Sequence, residues 1–207
     1  MNLLPYGDRA LLAEFDRVED VVTWSDAVRD VGLDSVVDIV PAARTVLVVA
    51  RPGTDLARLR RSLGALRPSA GGGAHEHVAA VEIPVHYDGA DLAEVAELTG
   101  LSQSEVVRAH TGTSWRVAFG GFTPGFAYLS GGDARLRVPR REEARTSVPA
   151  GAVGLAGEFS GVYPRTSPGG WQLVGTTEET MWDLDRDPPA RLSPGCIVSF
   201  VDADGIA

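Results

Sequence analysis

Three stretches of this chain combine the residue types that catalytic and binding sites use. In Phe119-Gly120-Gly121-Phe122-Thr123-Pro124-Gly125-Phe126-Ala127-Tyr128-Leu129, aromatic plates alternate with glycine and proline. Such a loop can aim backbone amides at a developing oxyanion while its rings exclude water. It equally fits a glycine-punctuated hairpin whose phenylalanines are core, and composition leaves both readings open. Arg135, Arg137, Arg140, Arg141 and Arg145 crowd eleven residues of a chain whose net charge is −9. Either Arg137 and Arg145 pair with Glu142, Glu143 or Asp133 as a solvated face, or the island clamps a small carboxylate or phosphate. The third stretch runs from Val148 to Gly157 and on through Tyr163-Pro164-Arg165-Thr166-Ser167-Pro168-Gly169-Gly170-Trp171. Its glycines mean close backbone approach, for β packing or for a ligand lying on main chain. Ser167 has no G-x-S-x-G elbow around it and is not read as a nucleophile. His110 is the one histidine outside a linker or an early strand; it suits a helix end, a core position or an acid–base role near neutrality.

Composition removes several chemistries. The chain has no lysine, so all 19 basic residues are arginine. Schiff-base catalysis, a phosphate-loop lysine and a lysine-tethered cofactor are therefore excluded. The acidic balance argues against nucleic acid and anionic membrane as partners. Cys196 is the single cysteine, so no intrachain disulfide forms, and its apolar setting reads as a buried strand. No metal-ligating cluster is read: His75 and His77 lack Cys or His companions nearby. The opening residues lack signal-peptide zones and no apolar run is long enough to span a bilayer, so a cytoplasmic location is expected.

The elements that must carry these stretches fall into two groups. The first third reads as a small α/β unit. Strands are expected at Ala10–Phe15, Ser35–Val40 and Arg44–Ala50. Helices are expected at Val18–Val31, capped by Asp16 and stopped by Gly32, and after Asp55 with Leu56, Leu59, Leu63 and Leu66 on one face. Pro68 to His77 reads as a flexible linker, giving domains at 1–67 and 78–207. The second domain opens with a strand at Val81–Tyr87 and two helices, Asp91–Leu98 and Ser102–His110. The second helix starts with a Ser102/Glu105 capping box. Beyond residue 113 come short strands between Gly and Pro turns, a pattern for a closed or sandwich-like β structure.

Taken in order, these segments resemble the family of KipI, PxpB (the B component of 5-oxoprolinase) and allophanate hydrolase subunit 1. The resemblance rests on His110, Gly121 to Leu129, Leu136 to Arg140, Val148 to Gly157, Tyr163 to Trp171, the opening Tyr6 to Leu12 and the closing Ser193-Pro194-Gly195. Departures are Trp115 for a usual Tyr, Ser160 for Thr, and Cys196 for an acidic residue. The resemblance implies an α+β fold, with a small N-terminal α/β domain followed by a cyclophilin-like β-barrel. It implies one component of an ATP-dependent 5-oxoprolinase, inactive alone. That complex opens 5-oxo-L-proline to L-glutamate, and its other members are an A component and a C component of homologous fold. ATP, with Mg2+, would be the co-substrate. Other roles in the family are an allophanate hydrolase or urea amidolyase component and a KipI-like inhibitor of a sensor histidine kinase. Carried onto this chain, the resemblance makes His110 and Arg140 the catalytic candidates, with His110 handling a proton. Arg145 joins Arg140 in binding carboxylate or phosphate. Gly121, Phe122, Pro124, Gly125 and Phe126 would shape the substrate or nucleotide pocket, together with Ser167, Pro168, Gly169 and Gly170.

Overall fold

The computed structural model describes residues 1–67 and 80–205. The expected linker at 68–77, with His75 and His77, lies outside the described residues. The chain divides into two compact units, Met1–His77 and Val78–Ala207.

The first unit comprises β1 (Asn2–Tyr6), β2 (Ala10–Glu14), α1 (Val18–Val31), β3 (Val36–Pro41), β4 (Thr45–Ala50) and α2 (Leu56–Ala65). The strands form one antiparallel sheet in the order β1-β2-β4-β3. Leu11, Ala13, Val46 and Val48 turn one face inward onto Val21, Trp24 and Val28 of α1 and Leu59 and Leu63 of α2. Strand β1 is not among the strands expected from the sequence; it holds Pro5, a residue that edge strands tolerate. Helix α1 also departs from expectation. Its N-cap is Arg17, with no side-chain capping bond, while Asp16 pairs with Arg44 at 3.5 Å. Asp55 does cap α2, accepting from the amides of Ala57 and Arg58 at 2.9 and 3.0 Å.

The second unit is α+β, with its strands in a nearly closed, barrel-like sheet. Strand β5 (Ala80–Val85) leads to α3 (Leu92–Thr99) and α4 (Gln103–Thr111), and the Ser102/Glu105 capping box is present. Strands β6 (Trp115–Gly120) and β7 (Ala127–Ser130) follow, then a 3-10 turn at Ala134–Leu136. After it come β8 (Arg145–Val148), β9 (Ala152–Ala156), β10 (Phe159–Val162), β11 (Ser167–Gly169), β12 (Gln172–Thr176) and β13 (Ile197–Asp202). Seven strands run in the order β12-β9-β10-β7-β6-β13-β5, with only β13 and β5 parallel. A bridge between His86, just past β5, and Thr176 of β12 joins the two ends through two backbone hydrogen bonds of 2.8 Å. Gly175 permits this seam, since a Cβ there would collide with the His86 carbonyl. A core of Ile83, Val85, Val106, Val117, Leu129, Leu155 and Phe200 fills the barrel and the space under α3 and α4. Outside the seven strands, β8 and β11 form a two-stranded ribbon that carries Arg145 beside Gly169. Among the described residues no helix is long and apolar enough to cross a membrane.

Candidate functional site

The glycine–aromatic loop joins β6 to β7 and is built from two consecutive turns. The Thr123 amide donates to the Gly121 carbonyl at 2.7 Å around Phe122, whose φ is +66°. That is a γ-turn of the rare positive-φ kind, strained for any residue with a Cβ. Thr123 to Phe126 then form a type II turn, with Pro124 and Gly125 (φ +83°) in its two central positions and a 3.0 Å bond from the Phe126 amide to the Thr123 carbonyl. The two phenylalanine rings meet edge-on, with centroids 5.5 Å apart, but differ in exposure. Phe126 is buried, edge-on to Tyr163 and Trp171, as the hairpin reading expects. Phe122 stands 58% exposed. Arg165 pins the loop, donating from Nε to Thr123 Oγ1 at 2.9 Å.

The arginine island resolves into pairs that sequence proximity largely fails to give. Arg135 does meet Asp133, at 2.6 Å, but Arg137 meets Glu158 at 3.5 Å. Arg141 and Arg145 both donate to Oδ1 of Asp91, at 2.7 and 2.6 Å. Neither Arg137 nor Arg145 pairs with Glu142, Glu143 or Asp133, because the turn and ribbon geometry carries those carboxylates away. Asp91 is 3% exposed and also accepts the Leu173 amide on Oδ2 at 2.7 Å. Burial alone raises its carboxyl. The hydrogen bonds from Arg145 and Leu173 and the two guanidinium charges outweigh that and hold it below the usual carboxylate range.

Arg140 is different. Among the described residues it has no hydrogen-bonding or acidic partner, and it is exposed. Its Nε lies over Gly170, 3.9 Å from where a Cβ would stand. Its charge acts on two phenols: burial raises both Tyr128 and Tyr163, and Arg140 opposes the rise in each. Around this cation, Gly170, Tyr128 and Tyr163 make a surface suited to a small anion.

The remaining candidates separate from that surface. Ser167 spends its hydroxyl on the Arg165 carbonyl at 3.3 Å, in keeping with the missing elbow. Gly169 is required by Tyr163, whose phenol occupies the place a side chain would take. His110 is fully enclosed, at 0% exposure. Its Nδ1 meets Tyr87 Oη at 2.8 Å, its Nε2 meets Ser160 Oγ at 2.9 Å, and its ring stacks on Phe200 at 4.2 Å. Burial pushes its pKa down to about 3, so the ring is neutral, with one nitrogen donating and one accepting. None of these contacts reaches the arginines. The structure places His110 in the core between Tyr87 and Ser160, apart from the arginines. Tyr128 and Tyr163 come from the stretches singled out in the sequence, whereas Asp91 joins the arginines with no signal of its own. Asp91 reads only as a helix start, and its partners lie 50 and 54 residues away.

A family profile, "Carboxyltransferase domain, subdomain C and D", matches residues 1–192. The 5-oxoprolinase B component of Escherichia coli O157:H7 is 42% identical over 189 residues, covering 86% of this chain and 83% of that protein. The chain belongs to the 5-oxoprolinase B-component (PxpB) family. The family member of Bacillus subtilis (strain 168) is 47% identical over 124 residues, which is 58% of this chain and 52% of the relative. Among solved structures, TTHA0988 superposes with a TM-score of 0.75 at 36% identity, covering 95% of this chain and 40% of its own. A PxpB-type chain thus corresponds to two-fifths of that longer polypeptide. Kluyveromyces lactis urea amidolyase matches at a TM-score of 0.67 and 18% identity, over 97% of this chain and 14% of its own, a likeness of fold alone.

Proposed function

We propose that this chain is the B component of an ATP-dependent 5-oxoprolinase complex, which opens 5-oxo-L-proline to L-glutamate together with the A and C components. In this reading Arg140 binds the substrate carboxylate. The observation that carries the assignment is that Arg140, alone of five clustered arginines, has no acidic partner among the described residues. A five-membered lactam is a weak electrophile. Transfer of the ATP γ-phosphoryl to its carbonyl oxygen would release ADP. One water then adds to the carbonyl carbon, and the ring C–N bond breaks as the nitrogen takes a proton. A second water displaces phosphate from the resulting acyl phosphate to leave L-glutamate. Substrate and product both carry a carboxylate beside the reacting amide, so a fixed guanidinium orients the ring without taking part in bond cleavage. Arg145 is already paired with Asp91, which it shares with Arg141, and serves as local support. The strained Gly121–Gly125 loop, with Phe122 exposed, forms an apolar wall. ATP and Mg2+ belong to the assembled complex, and the proton transfers fall to groups other than His110. The two relatives are both 5-oxoprolinase components, which favours 5-oxoproline over allophanate, for which the likeness is one of fold.

The test is glutamate and ADP release from 5-oxoproline and ATP, with this chain alone and mixed with the A and C components. Activity that appears only when all three are present supports the reading. Equal activity with this chain left out overturns it.

A further inference from the structure

We infer that Asp91 is a positioning residue for the anion site: one buried carboxylate gathers both ends of the Arg141–Arg145 segment and so holds Arg140 over Gly170. The inference rests on the carboxylate-binding reading of Arg140. Asp91 is itself fixed from several sides. Its amide donates to the Leu173 carbonyl at 2.9 Å, its Oδ2 accepts the Leu173 amide, and its carbonyl accepts the Val95 amide at 2.8 Å. It is therefore a rigid post between β12 and α3. Its other oxygen takes Arg141 at one end of the segment and Arg145 at the other. The Arg141 amide adds a 2.9 Å bond to the Gly170 carbonyl, so the residue next to Arg140 is held through both backbone and side chain. Asp91, with Glu94 at 3.4 Å from Arg141, pairs Arg141 and Arg145 with carboxylates, whereas Arg140 has no acidic partner among the described residues.

The half-buried surroundings are incompletely paired. Arg141 Nε, Arg145 Nη1 and Gln172 Oε1 are buried with no partner in the structure. Glu94 gives Arg141 a second, longer contact at 3.4 Å, so removing the Asp91 charge strips Arg145 of its carboxylate and leaves Arg141 with the weaker of its two.

The experiment compares 5-oxoproline kinetics of the assembled complex carrying Asp91→Asn, Asp91→Glu, Arg140→Ala, or Asp91→Asn with Arg140→Ala. Thermal unfolding of each isolated chain is read alongside. Asp91→Asn is expected to raise KM for 5-oxoproline about tenfold or more, out of proportion to any fall in kcat. In the Arg140→Ala background it is expected to add little to KM, because its effect runs through Arg140. Asp91→Glu keeps the charge but moves it by one methylene; it is expected to raise KM with less loss of stability, and it decides the matter if the Asn variant does not fold. A purely structural Asp91 would lower kcat and the unfolding temperature and leave KM unmoved in both backgrounds, which overturns the inference. If Arg140→Ala itself leaves KM unmoved, the carboxylate-binding reading falls, and this inference falls with it.

Discussion

His110 Nε2 and Ser160 Oγ lie 2.9 Å apart although 50 residues separate them, and the ring between Ser160 and Tyr87 is closed to solvent. The contact ties the end of α4 to β10 across the barrel interior. Burial favours the neutral imidazole here, since a charged ring would lose its hydration with only the hydroxyls of Tyr87 and Ser160 to receive its protons.

The first expectation concerns acid. His110 keeps a pKa of about 3 when folded, whereas an exposed imidazole titrates near 6.5. Below about pH 6.5 the unfolded chain takes up a proton that the native state refuses. Stability therefore falls with pH, at up to about 1.4 kcal/mol per unit from this residue. His86 acts in the opposite sense: its bond to Asp204 raises its pKa, so its contribution is present in acid and lost as pH rises through the raised value. Urea unfolding between about pH 7.5 and about pH 5 is expected to show the loss in the wild type and a shallower slope in His110→Gln. Equal slopes would contradict the neutral anchor.

Phe122 supplies a second expectation. Its positive φ costs about 1 kcal/mol that glycine would not incur, offset in part by the greater freedom glycine brings to the unfolded chain. Since the ring is largely exposed, Phe122→Gly is expected to leave stability unchanged or higher by up to about 1 kcal/mol, while turnover in the complex falls. Unfolding and kinetics on the same preparation check this. A loss of stability beyond about 1 kcal/mol would mean that the ring is needed for packing.

Two adjacent glycines give a third. A methyl at Gly169 meets the buried Tyr163 phenol, so Gly169→Ala is expected to cost about 2 kcal/mol. A methyl at Gly170 meets Ala144 at 3.5 Å and Arg140 at 3.9 Å, ordinary contacts. Gly170→Ala is therefore expected to fold within about 0.5 kcal/mol of the wild type and to raise KM for 5-oxoproline by crowding Arg140. Thermal unfolding separates the two; equal losses would contradict the assignment.

Most local signals in this sequence translate into local structure, the expected Asp16 cap of α1 being an exception. The Asp55 cap, the Ser102/Glu105 box and the Thr123–Phe126 turn all stand where residue chemistry demands. What escapes the sequence is long-range. Strand β1, which holds Pro5 at the sheet edge, is not among the expected strands. Nothing near Asp91 announces partners 50 and 54 residues on. His110 has the composition of an acid–base group, and only the tertiary packing of Tyr87, Ser160 and Phe200 makes it a neutral post. The arginine island is visible as charge, but which arginine stays unpaired depends on where the fold places Asp91, Glu94, Asp133 and Glu158.

The most direct measurement is the KM for 5-oxoproline of the complete three-component mixture with Arg140 replaced by alanine. A charge-assisted bond to a carboxylate is worth about 1.5–3 kcal/mol, so KM is expected to rise about 10- to 100-fold, with the unfolding temperature of the isolated chain nearly unchanged. A wild-type KM in that variant would contradict a carboxylate site at Arg140.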